Sequence, residues 1–266
     1  MKALARYKFL TYSQMLRLGI DKYKSNLSNQ IKGIRDGKRP LIRKIPHQAG
    51  IEAKHYLTSK GKDVLLELYP DEFNEDNIHF VKKTLYTDTQ DQKHRTGTID
   101  IQITLDAACS RANIPIVLCE RYFDRIGNQR KDRNLRSKTA FRLTSGTRVS
   151  ADLVFKLSTP TQEELYLVEL ENGSDAGKSY EKCFQHATGI LEQGANKKYN
   201  HYHAYRTLWI FEKETTMNST LSKLQANTFF KNLSEYFLFK AFDRIDQDFF
   251  SDWLNLDGEE RKMYYL

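Results

Sequence analysis

The chain has 266 residues, 39% of them hydrophobic and 12% aromatic, with a net charge of +8. That length suits one large domain or two modest ones, and that composition can bury a core, which excludes a disordered chain. No apolar run reaches the ~18 residues of a membrane span, no signal-peptide pattern opens the chain, and three cysteines without a CxxC exclude a zinc finger or disulfide framework. These features predict a cytoplasmic protein without membrane insertion.

In chain order, residues 1–62 carry 15 Lys and Arg against three acids. "ALARYKFL" predicts a short amphipathic helix. "TYSQMLRLG" predicts a second, capped by Thr11 and stopped at Gly19. "SNLSNQIKGIRDG" predicts a third, with Leu27, Ile31 and Ile34 on one stripe. Its other face carries Lys24, Asn26, Asn29, Lys32 and Arg35, followed by Lys38 and Arg39. "RPLIRKIP" and "AKHYLTS" predict a hairpin. Three helices followed by a hairpin is the winged helix-turn-helix order, in which the third helix enters the major groove of DNA. Asn, Lys and Arg pair with base edges and phosphates, so these residues are the predicted DNA contacts.

Residues 63–78 then hold six acids and no Lys or Arg. They predict a connector, with a domain boundary at 85/86. Beyond it, residues 91–112 predict a helix with Ile99, Ile103, Leu105 and Ala108 inward. "IPIVLCERYF" predicts a strand. The stretch 121–148 holds nine bases against two acids. Within it Arg130, Lys131 and Arg133 predict a second polyanion contact. "AFRLT", "VSADLVFKL" and "LYLVELE" predict three strands, and a helix capped by Ser174 or Asp175 follows. "RTLWIFEK", a helix over 218–231 and "YFLFKAF" complete an α/β order.

Glu169 and Glu171 are two residues apart in a strand and so share a face. The turn before that strand centres on residue 161, which pairs Asp152 with a residue near 170. Asp152, Glu169 and Glu171 therefore converge on one patch. Like charges this close repel unless a cation or a proton intervenes. Hard oxygen ligands suit Mg²⁺ or Mn²⁺, which would activate water and offset charge on a phosphodiester. Lys178 and Lys182, one turn apart on the next helix, can reach the patch. "HYH" at 201–203 matches the paired histidines of rolling-circle relaxases, but its polar surroundings favour histidines that face solvent or DNA.

The Asp152 and Glu169-Leu170-Glu171 constellation resembles the PD-(D/E)XK nuclease core, with Glu171 where a lysine is usual and Lys182 as its substitute. The chain from about residue 8 to 190 is also similar to the replication-relaxation proteins, in particular the MOBC-type plasmid mobilisation relaxases. "HYLTSKG" at 55–61, His94, Glu120, "SADLVF" and "VELENGS" carry that resemblance. It implies a winged helix-turn-helix domain over 1–85 and a PD-(D/E)XK-like nuclease domain over 86–266. Asp152, Glu169, Glu171, Lys182, Glu120 and His94 would be catalytic, the three strand acids binding the metal. The substrate would be double-stranded and nicked plasmid DNA at an origin, the partners an accessory mobilisation protein and a coupling ATPase. The alternative is a non-catalytic origin-binding initiator or regulator with a degenerate nuclease-like core.

Overall fold

The computed structural model describes residues 1–45, 50–81, 91–127 and 136–264. The chain divides into two compact units, Met1–Asp100 and Ile101–Leu266.

The first unit opens with α1 (Lys2–Tyr7), α2 (Tyr12–Arg17) and α3 (Lys24–Arg35). Thr11 and Gln14 cap α2 reciprocally, each side chain taking the other's backbone N–H. Gly19, at φ 69°, ends the turn that follows. On α3, Leu27 and Ile31 are buried and Ile34 half-buried. Strands β1 (Ile42–Ile45) and β2 (Lys54–Leu57) pair antiparallel, and α4 (Ser59–Leu68) follows. The "LTSKG" stretch is the joint between β2 and α4. Thr58 caps α4 through Gly61 N–H and donates its hydroxyl to the Pro40 carbonyl at 2.7 Å. A Cβ on Gly61 would collide with the Leu41 carbonyl oxygen, so the joint requires glycine.

The acidic stretch is not a free connector. Lys2 pairs with Glu72 at 2.6 Å and Lys62 with Glu75 at 2.7 Å. Val81 N–H donates to Leu57 O, and Ile78 and Val81 are buried. Three of its six acids, Asp63, Glu72 and Glu75, thus pair with cations of their own unit. The division at 100 also falls later than the expected 85/86, inside α5 (Gln92–Ala112). The first turns of α5 are tied to the N-terminal unit. Lys54 Nζ donates to the Gln92 side chain at 2.6 Å, and Gln14 donates to Thr96 O and Asp100 Oδ1, both at 3.1 Å.

The second unit holds β3 (Ile116–Arg121), β4 (Arg125–Ile126), β5 (Arg136–Ser137), β6 (Ala140–Arg142), β7 (Arg148–Ser150), β8 (Leu153–Ser158) and β9 (Glu163–Glu171). Then come α6 (Ala176–Leu191), α7 (Gly194–Tyr199), β10 (Arg206–Phe211), α8 (Glu214–Gln225), β11 (Phe237–Ala241), β12 (Trp253–Leu254) and β13 (Glu260–Arg261). The last predicted helix thus lies at 214–225, earlier than 218–231, because Asn227 starts a separate short 3₁₀ turn.

Seven strands form one mixed sheet in the order β13-β12-β11-β10-β9-β8-β3. β3, β8 and β9 run as an antiparallel meander, while β9, β10 and β11 are parallel. Side chains alternate between two cores. Val154, Leu165, Leu167 and Trp209 pack with Cys183 and Ala187 of α6 and Met217 and Leu221 of α8. Leu153, Phe155, Val168 and Ile210 pack with Ile101, Leu105 and Ala108 of α5 and with Phe249 and Trp253. Helices therefore cover both faces, which is why the central strands read as continuous apolar runs.

Candidate functional site

The β8–β9 hairpin pairs Leu153 with Val168, and Asp152 N–H donates to Val168 O at 2.9 Å. Extending that register sets Asp152 opposite Glu169, one residue from the expected 170. Asp152, Val154, Leu167, Glu169 and Glu171 thus share the sheet face that α6 covers. Asp152 is buried and its Oδ2 accepts from Leu170 N–H at 2.8 Å. Glu169 is 0% exposed.

Helix α6 supplies the partners. Asp175 caps it by accepting from the N–H groups of Gly177 and Lys178. Ser179, Lys182 and His186 stand at i, i+3 and i+7, one stripe of the helix. Ser179 donates to Glu171 Oε2 at 2.9 Å. Lys182 Nζ lies 2.7 Å from Glu169 Oε2 and 3.0 Å from Glu171 Oε1. His186 Nε2 meets Glu169 Oε1 at 2.6 Å, its ring edge-on to Trp209. Lys178, one turn earlier, is exposed. Of the two candidate lysines, Lys182 is the one that meets the acids.

The electrostatics follow from that geometry. Burial raises the pKa of Glu169, Lys182 opposes the rise and Asp152 adds to it. Burial works against the charge on Lys182, but Glu169, Asp152 and Glu171 outweigh it and hold its pKa above the ordinary lysine value. Burial, with Glu171 and Glu169 beside it, likewise raises the Cys183 thiol.

The donor chemistry of Asp152, Glu169 and Glu171 is that of a hard divalent cation. Glu169 Oε2 is buried and accepts no directed hydrogen bond, although an ammonium sits beside it. Its ion pair with Lys182 is the contact that a metal would have to displace. The three acids do not form a ligand cage as they stand: among the described residues no group of three or more His, Cys, Asp or Glu is arranged to hold a metal ion. Lys182 and His186 take the carboxylate oxygens instead.

Glu120 lies on β3 opposite Val154, so it shares the acids' face. It accepts from Tyr199 Oη at 3.1 Å and pairs with Lys138 at 3.1 Å. His94 is half-buried on the first turn of α5, in the N-terminal unit. Lys24, Asn26, Asn29 and Lys32 are exposed on α3, and Lys38 and Arg39 are exposed beyond it. Lys24 pairs with Glu52 at 3.0 Å, and Arg35 is half-buried and pairs with Asp36 at 2.7 Å. Arg130, Lys131 and Arg133 lie outside the described residues. The histidines of "HYH" do not both face solvent. His203 is exposed, but His201 is buried, because Asn196 folds the segment back by donating to the His201 and His203 carbonyls.

Ser179 and His186 were not among the expected site residues. Their spacing from Lys182 is the signal that could have found them. No helix among the described residues is long and apolar enough to cross a membrane. No protein-family model, curated protein or solved structure matches the chain.

Proposed function

We propose that the chain is a metal-dependent DNA endonuclease of the PD-(D/E)XK type with an N-terminal winged helix-turn-helix unit, acting as a plasmid mobilisation relaxase that nicks one strand at an origin of transfer. The observation that carries the reading is the buried Glu169, opposite Asp152 in a hairpin and bridged to Glu171 by Lys182. Burying a carboxylate beside other carboxylates costs free energy that packing alone would avoid by using apolar residues. A catalytic task explains why the sequence keeps them.

Asp152, Glu169 and Glu171 would hold Mg²⁺ or Mn²⁺, which when bound supplies charge stabilisation and an activated water. Lys182 steadies the reacting phosphate or water from α6, in place of the lysine that Glu171 replaces. Ser179 and His186 orient Glu171 and Glu169. Tyr199 and Lys138 hold Glu120 at the edge of the same face. The exposed polar side of α3, with Lys24, Asn26, Asn29 and Lys32, reads the duplex. Relaxase partners, an accessory mobilisation protein and a coupling ATPase, belong to the same proposal.

The second reading is a non-catalytic, origin-binding initiator or regulator. It is favoured by one observation: Lys182 already ion-pairs with Glu169 and Glu171, and His186 already meets the other Glu169 oxygen. A supercoiled-plasmid relaxation assay separates the two. The nuclease reading expects open-circular product only with Mg²⁺ or Mn²⁺, and none from Asp152→Ala. Wild-type protein that binds origin DNA yet nicks with neither metal would establish the second reading.

A further inference from the structure

A cavity of about 500 Å³ lies between the β6–β7 hairpin and α7. Arg136, Arg142, Arg148, Lys197 and Lys198 line it, against one carboxylate, Glu192. That carboxylate is engaged, accepting from Thr144 N–H at 2.5 Å. Among the described residues no acid pairs with Arg136, Arg142 or Arg148, and all three are exposed.

Two further observations point to an anion. Arg142 and Arg148 are direct cross-strand partners, while Phe141 and Val149, the pair beside them, are buried. Like charges directly opposite in a hairpin destabilise it, and the arrangement is relieved when an anion bridges them. Lys198 donates to the Lys138 and Ala140 carbonyls, the latter at 3.1 Å, fixing α7 against β6. Burial, with Arg136 and Lys138 adding to it against Glu120, lowers its pKa to about 8. The chain approaches this closely because residue 194 is glycine: a Cβ there would lie 2.7 Å from the Phe141 ring. Lys198 and the backbone of α7 and β6 are thus held by packing, with the other cations carried on that frame.

We propose that this cleft binds the phosphodiester backbone of single-stranded nucleic acid. A cavity of about 500 Å³ has room for a short stretch of one strand and not for the body of a duplex. Among the described lining residues no exposed aromatic side chain offers a stacking platform, so recognition is of the backbone and independent of sequence. The role in handling a nicked strand rests on the endonuclease reading; the binding itself does not.

The test uses the full chain, a short fluorescent oligothymidylate and a salt titration. Arg142→Gln with Arg148→Gln should lower the slope of log K against log salt by about 1.4, at about 0.7 per single-strand phosphate contact, and weaken binding. Lysine at both positions should restore most of the slope. Lys197→Gln, at an exposed position, should lower it by about 0.7 on the same basis and serves if the double variant does not fold. An unchanged slope in folded variants overturns the cleft assignment. So does inorganic phosphate or ATP displacing the oligonucleotide at concentrations far below those of competing strand. Nicking is read in parallel. Variants that nick but keep the wild-type slope sink the cleft alone, and a wild-type chain with a cleft-dependent slope that never nicks sinks the endonuclease reading alone.

Discussion

Glu169 shows how much one buried charge demands of its surroundings. Its two oxygens face Lys182 and His186, and removing the ammonium leaves the carboxylate beside Asp152 with one partner. Lys182→Ala should therefore cost about 3 kcal/mol in urea unfolding. That is the low end for a broken buried pair, because 36% of the lysine side chain remains in solvent. Adding Glu169→Gln should recover much of the loss, since the stranded charge is gone. Additive losses in the double variant would show that the two residues do not act as a pair. A second buried group sets a pH limit. His55 is buried in the first unit with neither ring nitrogen hydrogen-bonded, and burial, with Arg35 and Lys44 nearby, lowers its pKa to about 4. Above the unfolded value of about 6.5 both states are neutral. As pH falls from about 6.5 toward 4, only the unfolded chain gains the proton, so stability is lost across that window. Denaturant melts at pH 7 and 5 should show the loss, and His55→Phe should flatten it.

At the scale of elements, two joints carry testable weight. The reciprocal cap of α2 rests on Thr11, and Thr11→Ala should cost about 1 kcal/mol. Gly61, in the first turn of α4, lies against the Leu41 carbonyl, a backbone atom that cannot swing aside. Gly61→Ala should therefore destabilise the first unit by about 1–3 kcal/mol, as overpacking does, although alanine is the better helix former. Unfolding by circular dichroism measures both. A stabilised Gly61→Ala variant would mean that helix propensity outweighs the collision. On α6 the stripe Ser179, Lys182, Cys183 and His186 faces the sheet, while Lys178 falls off it. A difference of one helical turn selects the lysine, and that selection depends on how α6 lies across β9.

At the scale of the molecule, the basic N-terminal unit and the acid cluster belong to different compact units, so binding and chemistry should separate. Lys24→Ala with Lys32→Ala should lower the salt slope of duplex binding by about 1.8, at about 0.9 per phosphate contact. The value should be smaller to the extent that Glu52 already offsets Lys24. Asp152→Ala should leave that slope unchanged while abolishing nicking. A gel-shift titration at several salt concentrations reads the first, plasmid relaxation the second. An equal loss of binding in Asp152→Ala would end the division of labour.

What the sequence alone determined lies in local order. Apolar periodicity over 91–112, the Thr11 and Asp175 caps, the strand runs and the β8–β9 register all follow from neighbours a few residues apart, where spacing and turn length dictate geometry. The register placed Asp152 within one residue of its partner, because hairpin partners sum to a constant. Tertiary structure decided the rest. The acidic stretch reads as a linker by composition, yet its charges meet Lys2 and Lys62, about 70 and 13 residues away in sequence. His186 and Ser179 join the acids, and Lys182 prevails over Lys178, through the docking of a helix on a sheet. The basic cleft assembles from residues 136–148 and 192–198, which no local pattern connects. Charge and periodicity are properties of neighbours along the chain; a site is a property of neighbours in space, and only packing brings those together.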